Sequence, residues 1–281
     1  AQYEGNLTKL IEFYRQCAKK HWATKGDRNT SFFHNVVQKR KRRNRIVSIK
    51  DTHGNNLFDP DDIAKEFVNY FRTIFRSSST NNDRPSLDTT LPQDTNDFTY
   101  SIPDKHEIWE ILKGMKKNAS PGPDGFNVGF YLSAWSWIGD DVTNLVRNFY
   151  TTGIVLPHLN DTQIALIPKK LASHLPSDFR TISLCNVVYK IIAKSLANRL
   201  KGHLPDYIHP SQQAFIEGRR ISNNIIVAQE IAHSFSLASW KSLDFMLKID
   251  LAKALERIEW HFIVSALAHK GLHGHFIKLV H

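Results

Sequence analysis

The residue whose type and position are best suited to chemistry is Asp250, which ends the apolar run Phe245–Ile249. The run predicts a short strand, and an amphipathic stretch follows it. A carboxylate at the end of a buried strand is unfavourable unless a cation meets it. Mg²⁺ is the cation that best suits several oxygen ligands in a phosphate-handling site, and the carbonyl oxygen of Leu251 is a second candidate ligand. An equally good interpretation makes Asp250 the cap of the next helix.

A second group of candidate residues is the basic segment Lys39–Arg45, KRKRRNR. Its six cations are Lys39, Arg40, Lys41, Arg42, Arg43 and Arg45. The formal net charge of the chain is +10, and residues 1–50 hold 13 Lys and Arg against 3 Asp and Glu. Neighbouring cations repel one another unless a polyanion is near, and the nucleic-acid backbone is the common polyanion. A solvated surface or a nuclear-import signal has the same composition.

Composition excludes several classes of protein. The two cysteines, Cys17 and Cys185, lack the paired spacing of a disulfide framework or a zinc site. No apolar run approaches the roughly 18 residues of a membrane span, and no signal-peptide pattern begins the chain. We therefore expect an intracellular protein, nuclear or cytoplasmic, with no membrane partner.

The elements that position these residues follow from periodicity and from turn residues. Residues 3–23 have helical spacing, and a second helix runs from Asn29 or Thr30 into the basic segment. Arg45–Phe58 predicts a β-hairpin, and a helix begins at Pro60. Ser77–Asp97 has the composition of a linker. We predict three regions: a basic N-terminal extension (1–76), a polar linker (77–101) and a third region (102–281).

The sequence pattern of the third region predicts many helices and few short strands. This content is typical of an α+β fold that is predominantly helical. The predicted helices are Pro103–Lys117, Val128–Trp135, Ile138–Thr151, Asn186–Leu204, Asn223–Leu237, Glu259–His269 and one beginning at His273. The predicted strands, besides the one ending at Asp250, are Gln163–Ile167 and Arg180–Leu184.

Six blocks of sequence, taken together, resemble one family. They are GDRNTSFFH at Gly26–His34, ASPGPDG at Ala119–Gly125, IALIPK at Ile164–Lys169, FRTISLCNVVYKIIAKSLANRL at Phe179–Leu200, QQAFIEGRRISNN at Gln212–Asn224 and KIDLAKALERIEW at Lys248–Trp260. The residues within these blocks, and the order of the blocks along the chain, resemble those of the reverse transcriptases of plant non-LTR (LINE-type) retrotransposons. The resemblance extends over most of the chain and implies a partial right-hand polymerase: an N-terminal extension, the fingers and the first palm strand.

The resemblance also implies an activity and roles for particular residues. Members of the family copy an RNA template from a DNA primer, using two Mg²⁺ ions. By resemblance, Asp250 and the carbonyl of Leu251 are metal ligands, and Arg180 and Lys190 lie near the incoming triphosphate. Leu255 takes the position beside the nucleotide sugar. By resemblance, Arg219 and Arg220 are candidates for contact with the template backbone. Solvation on a helix face or ion pairing with core carboxylates would also explain Arg180 and Lys190, and a surface turn would explain the other two arginines equally well.

The sequence departs from the family at several positions. The family's Tyr/Phe-X-Asp-Asp motif does not occur, and the pairs Asp61–Asp62 and Asp140–Asp141 both lie at the start of predicted helices. Four single residues also differ from those usual in the family. Thr181 replaces a proline, Asn223 an aspartate, Leu255 an aromatic residue and Glu256 an aspartate. A single carboxylate does not hold two hydrated Mg²⁺ ions in register.

Three hypotheses follow from these departures. The first is a truncated reverse transcriptase region that is not competent alone. The second is a nucleic-acid-binding remnant that uses residues 39–45. The third is a fragment that folds poorly, because fingers normally cover their apolar surface with the palm.

Overall fold

The computed structural model describes residues 30–76, 99, 101–170, 172–237 and 245–281. The helix predicted over residues 3–23 and the linker predicted over 77–97 lie outside these ranges. In the described part, helices predominate and the strands form two antiparallel pairs. This arrangement is consistent with the predicted α+β class. No helix in these ranges has both the length and the apolar content needed to cross a membrane.

The N-terminal elements confirm the predicted helix, hairpin and helix. They are α1 (Thr30–Asn44), β1 (Ile49–Lys50), β2 (Asn56–Leu57) and α2 (Pro60–Phe75). Asp51 Oδ1 accepts hydrogen bonds from the backbone N–H groups of His53 and Asn55, each at 2.8 Å, and so closes the hairpin turn. Asp59 Oδ1 caps α2 by accepting from the first-turn N–H groups at Asp61–Asp62.

The later elements follow the predicted order. They are α3 (Lys105–Lys113), α4 (Val128–Thr152), β3 (Thr162–Pro168), β4 (Phe179–Cys185), α5 (Val187–Lys201), α6 (Leu204–Tyr207), α7 (Ile221–Leu237), α8 (Ala254–Arg257), α9 (Trp260–His269) and α10 (Gly274–Val280). A short 3₁₀ helix, Pro176–Asp178, precedes β4. Strands β3 and β4 pair over their whole length, from Thr162 opposite Cys185 to Pro168 opposite Phe179.

Two predicted elements are wrong. The helices expected at Val128–Trp135 and Ile138–Thr151 are one continuous helix, α4. The ring of Trp135 packs over Gly139, within this helix, where a side chain would not fit. The strand expected at Phe245–Asp250 has no regular secondary structure. Its side chains are exposed, Phe245 by 83% and Ile249 by 77%. A strand needs a neighbour to satisfy its backbone hydrogen bonds, and no described strand pairs with this segment.

Two apolar clusters hold the described part together. The larger one joins α3, α4 and α5 through residues such as Ile108, Val146 and Ile191, which are fully buried. The second consists of Ile49, Ile63, Phe67, Phe71 and Phe179. It joins the hairpin and α2 to β4, so the cluster crosses the predicted boundary between the N-terminal extension and the third region. The rings of Phe67 and Phe179 meet edge to face, with centroids 5.1 Å apart.

A partly buried ion pair ties α3 to α5. Arg199 is 4% exposed, and its Nη1 and Nη2 donate to the two carboxylate oxygens of Glu107 at 2.6 and 2.9 Å. Ser195 Oγ donates to the same carboxylate, and the hydroxyl of Tyr150 lies 2.8 Å from Ser195 Oγ. The two parallel hydrogen bonds fix the relative position of the helices more narrowly than apolar packing does.

Candidate nucleic-acid interface

The most distinctive surface feature is a basic cavity of about 860 Å³ between α1, residues 116–121 and the junction of β4 with α5. Five cations line it: Arg40, Lys41, Arg45, Lys116 and Lys190. Its described lining residues include no carboxylate. Within the described part of the chain, no ion pair joins Lys41, Arg45, Lys116 or Lys190 to an acidic side chain. Positive charge collected in a concave site without counter-charge attracts a polyanion.

The loop Ser120–Gly125, which begins in the wall of the basic cavity, is held in place by Asn186. This side chain is 4% exposed. Its Nδ2 donates to the carbonyl oxygens of His158 and Leu159, each at 3.1 Å, and its Oδ1 accepts from the N–H of Asp124 at 3.2 Å. Asn186 therefore joins the Ser120–Gly125 loop to the start of α5. Lys190 lies one turn further along that helix, and its N–H donates to the carbonyl of Asn186.

Gly122 allows this close approach. A Cβ atom at Gly122 would lie 2.4 Å from the backbone nitrogen and from Oδ1 of Asn186. The loop can therefore pack against the asparagine only if this position has no side chain. Asn186 and Lys116 were not predicted as site residues. The sequence signal for Asn186 was a polar residue between an apolar strand and an apolar helix, where a partner is required if the residue is buried.

A second cavity, of about 590 Å³, adjoins the basic cavity. The two share Lys116, Ala119 and Lys190 in their linings. The second cavity adds apolar residues from α3 and the loop after it, including Ile111 and Met115, the cation Lys194, and the carboxylates of Glu107 and Glu110. Lys190 thus lies where the basic cavity meets a surface that carries apolar, acidic and basic groups.

Strand β4 separates two groups of predicted site residues. Side chains alternate along a strand, so Arg180 shares a face with Leu184, and Thr181 points to the opposite face. Leu184 lines the basic cavity, whereas Arg180 is exposed and is not among the lining residues. At about 3.3 Å per residue, Arg180 lies about 13 Å along the strand from Leu184. Arg180 and Lys190 therefore belong to one hairpin–helix unit, but only Lys190 lines the cavity.

The segment that contains Asp250 contacts the other face of β4. Thr181 Oγ1 donates to Glu256 Oε1 at 3.0 Å. Asp250 itself is exposed, as are Leu251 (74%) and Leu255 (88%). The N-cap position of the next helix, α8, is Lys253. Helix capping by Asp250, the alternative interpretation of this residue, is therefore wrong.

The donor atoms near Asp250 do not by themselves fit a site for two Mg²⁺ ions. Such a site needs carboxylates from more than one element. The described residues contain no group of three or more His, Cys, Asp or Glu side chains that could hold a metal. Asp250 and the carbonyl of Leu251 remain candidate ligands for one ion, and the carboxylate of Glu256 accepts from Thr181.

Arg219 has a structural role. Its Nη1 and Nη2 donate to four backbone carbonyl oxygens in residues 205–212, at 2.8–2.9 Å. The guanidinium thereby closes the loop between α6 and α7. The structure thus favours the surface-turn interpretation of Arg219 over the predicted template contact. Arg220 is exposed beside it, and its contact with template stays a prediction.

Part of the chain matches a known protein family. Residues 167–280 match the reverse transcriptase (RNA-dependent DNA polymerase) family. The chain is 28% identical over 257 residues to the transposon TX1 uncharacterized 149 kDa protein of Xenopus laevis, covering 86% of this chain and 19% of that protein.

Two insect proteins are also similar. Each is named as a retrovirus-related Pol polyprotein from the type-1 retrotransposable element R2. The protein of Nasonia vitripennis is 29% identical over 174 residues, which cover 59% of this chain and 15% of the relative. The protein of Popillia japonica is 26% identical over 180 residues, which cover 62% of this chain and 23% of the relative. The chain thus spans about a fifth of the length of the relatives it matches. Residues 167–280 therefore match the reverse transcriptase family, within a chain that is similar over most of its length to proteins of a transposon and of type-1 retrotransposable elements.

Proposed function

We propose that the chain supplies the basic extension, the fingers and the start of the palm of an RNA-directed DNA polymerase. The polymerase would belong to a LINE-type retrotransposon of the plant kind that the sequence blocks resemble. The observation that carries the proposal is the basic cavity, because it joins cations of α1 with Lys190 in the segment that matches the family. The expected partners are an RNA template and a DNA primer.

In this proposal, Asp250 and the carbonyl of Leu251 contribute to Mg²⁺ binding together with carboxylates from elsewhere in a complete polymerase. The Mg²⁺ ions supply the electrostatic stabilisation of nucleotidyl transfer. Arg180 and Lys190 bind phosphate groups of the incoming nucleotide: the planar guanidinium suits two oxygens at once, and the ammonium acts as a point charge. Leu255 would lie near the nucleotide sugar.

The 281-residue chain alone should not polymerise, because it lacks the Tyr/Phe-X-Asp-Asp carboxylates that complete the ion site. The test is primer extension with Mg²⁺ on a primed RNA template, with an active reverse transcriptase as the positive control. We expect no product from this chain. Product that disappears in Asp250→Asn would show that the chain is competent and would contradict this part of the proposal.

Nucleic-acid binding is a second function that the basic cavity favours in the chain itself. Each backbone phosphate that a cation contacts on a single strand makes log K fall by about 0.7 per unit of log salt concentration. Four contacts would give a slope of about −3. The test variant replaces four cavity cations by glutamine: Lys41, Arg45, Lys116 and Lys190.

The matched control replaces four exposed cations that do not line the cavity: Lys65, Arg72, Lys201 and Lys248. Both variants lose the same net charge. Binding of a fluorescent single-stranded RNA, measured from 50 to 300 mM KCl, should show a flatter slope in the cavity variant only. Equal flattening in both variants would mean that binding depends on net charge and not on the cavity.

A further inference from the structure

Lys253 is held in an unusual environment. Its Nζ lies 4.7 Å from the ring centroid of Tyr70 and 4.7 Å from that of Phe71, both on α2. The Nζ atom is shielded from solvent, and among the described residues it has no hydrogen-bond partner. Burial lowers the pKa of this ammonium group. The two rings meet edge to face, with centroids 5.2 Å apart, and a shielded ammonium that lies against both is stabilised by cation–π attraction in place of hydrogen bonds.

The backbone of Lys253 is also constrained. Its φ of 53° and ψ of 49° lie in the left-handed region, which is unfavourable for a residue with a side chain. Such a conformation persists when the surroundings hold it. The carbonyl of Lys253 accepts from the N–H groups of Glu256 and Arg257, each at 3.2 Å, and these bonds form the turn α8. The captured side chain and the turn therefore depend on the same residue.

This contact joins two distant parts of the chain. Residues 245–250 have no regular structure and are exposed. After Asp250, the first described contact with another element is that of Lys253 with α2. The second is the hydrogen bond of Glu256 with Thr181 on β4. Between them, α2 and β4 determine where the Asp250 segment leaves the folded core. Phe71 and Phe179, from the same two elements, belong to one apolar cluster.

We propose that Lys253 is a positioning residue: by placing its ammonium against the rings of Tyr70 and Phe71, it makes helix α2 fix the location of the Asp250 carboxylate. The functional meaning of this position rests on the proposed role of Asp250 as a metal ligand. The contact itself does not depend on that role. It follows that residues 60–75 are required to place a carboxylate that lies far from them in sequence.

A packing role and a cation–π role of Lys253 predict different behaviour of the same variants. Lys253→Met keeps much of the apolar stem and loses the charge, whereas Lys253→Arg keeps the charge. Tyr70→Leu removes one aromatic face, and Tyr70→Phe retains it. If the cation matters, the Met and Leu variants lose the contact and the Arg and Phe variants preserve it. If only packing matters, the Met variant behaves as the wild type.

The experiment measures hydrogen exchange at the amides of Glu256 and Arg257, which report opening of the turn. In Lys253→Met and Tyr70→Leu we expect exchange about tenfold faster than in the wild type, from the usual strength of a desolvated cation–π contact. Lys253→Arg and Tyr70→Phe should stay within about twofold of the wild type. The matched control is Lys248→Met, an exposed lysine of the same segment, which should change nothing.

A second measurement reports position and not only opening. Two cysteines are introduced by Asn69→Cys and Ala252→Cys in a chain that carries Cys17→Ser and Cys185→Ser. Spin labels on the two new cysteines give the distribution of distances between α2 and the Asp250 segment. The distribution should be narrow in the wild type and in Lys253→Arg, and broad in Lys253→Met. Wild-type exchange together with a narrow distribution in Lys253→Met would overturn the proposal. Neither readout requires polymerase activity, so failure of the proposed function would not affect them.

Discussion

The substitution Gly122→Ala tests whether the basic cavity has a defined wall. The new Cβ would lie 2.4 Å from the nitrogen and Oδ1 of Asn186 and 2.5 Å from the carbonyl carbon of Cys185. Ordinary contacts begin at about 3.4 Å, so the loop must move by about 1 Å. Two of these three atoms belong to the backbone and cannot rotate away. Overpacking of this kind costs about 1–3 kcal/mol.

The same movement should break the hydrogen bond from the N–H of Asp124 to Asn186, at about 1 kcal/mol. The free energy of unfolding, measured by urea denaturation, should therefore fall by about 2–4 kcal/mol. The displacement also moves the 116–121 wall away from Lys190. If one phosphate contact is lost, the salt slope of RNA binding flattens by about 0.7, although the net charge is unchanged.

The matched control for this prediction is Gly202→Ala. The φ at Gly202 is −66°, and a Cβ there would meet nothing within 4 Å. This substitution should leave stability equal or slightly raised, because alanine restricts the unfolded chain. Wild-type stability and an unchanged salt slope in Gly122→Ala would refute the inference that Asn186 fixes the loop.

Two further predictions concern the core. Glu107→Gln leaves the charge of Arg199 buried without its counter-ion, so the free energy of unfolding should fall by about 3 kcal/mol in urea denaturation; a fall below about 1 kcal/mol would show that the pair is not a stabilising contact. Burial raises the pKa of Tyr131 from 10 to about 12. Below pH 10 the hydroxyl is neutral in both states, but between pH 10 and 12 the unfolded chain loses the proton first. Stability should therefore fall by up to about 1.4 kcal/mol per pH unit in this window; Tyr131→Phe should remove that part of the fall, and an identical pH profile in the variant would contradict the assignment.

Most elements could be predicted from the sequence because their signals are local. The period of apolar residues and a proline or aspartate at the start are enough to locate a helix such as α2, and the predicted start at Pro60 is confirmed. The prediction of a strand at Phe245–Asp250 is wrong because strand formation depends on a distant partner. Its apolar composition is local, but a strand forms only if another segment offers backbone partners.

The candidate site shows the same limit. Lys190 and the cations of residues 39–45 were predicted separately, on different grounds, and the cavity that joins them depends on the Asn186 contacts. Arg219 has the residue type of a phosphate contact, yet its geometry assigns it to backbone carbonyls. The contact of Lys253 with Tyr70 joins residues far apart in the chain, which periodicity does not reveal.

In the proposed function, single-stranded nucleic acid binds in the basic cavity between α1 and α5. The most direct measurement is photo-crosslinking of a short RNA containing 4-thiouridine, followed by mass spectrometry of the crosslinked peptides. The account predicts crosslinks in peptides that contain Lys41, residues 116–121 and Lys190, all reduced by Gly122→Ala. Crosslinks confined to residues 39–45, or spread over exposed surfaces such as α7, would contradict it.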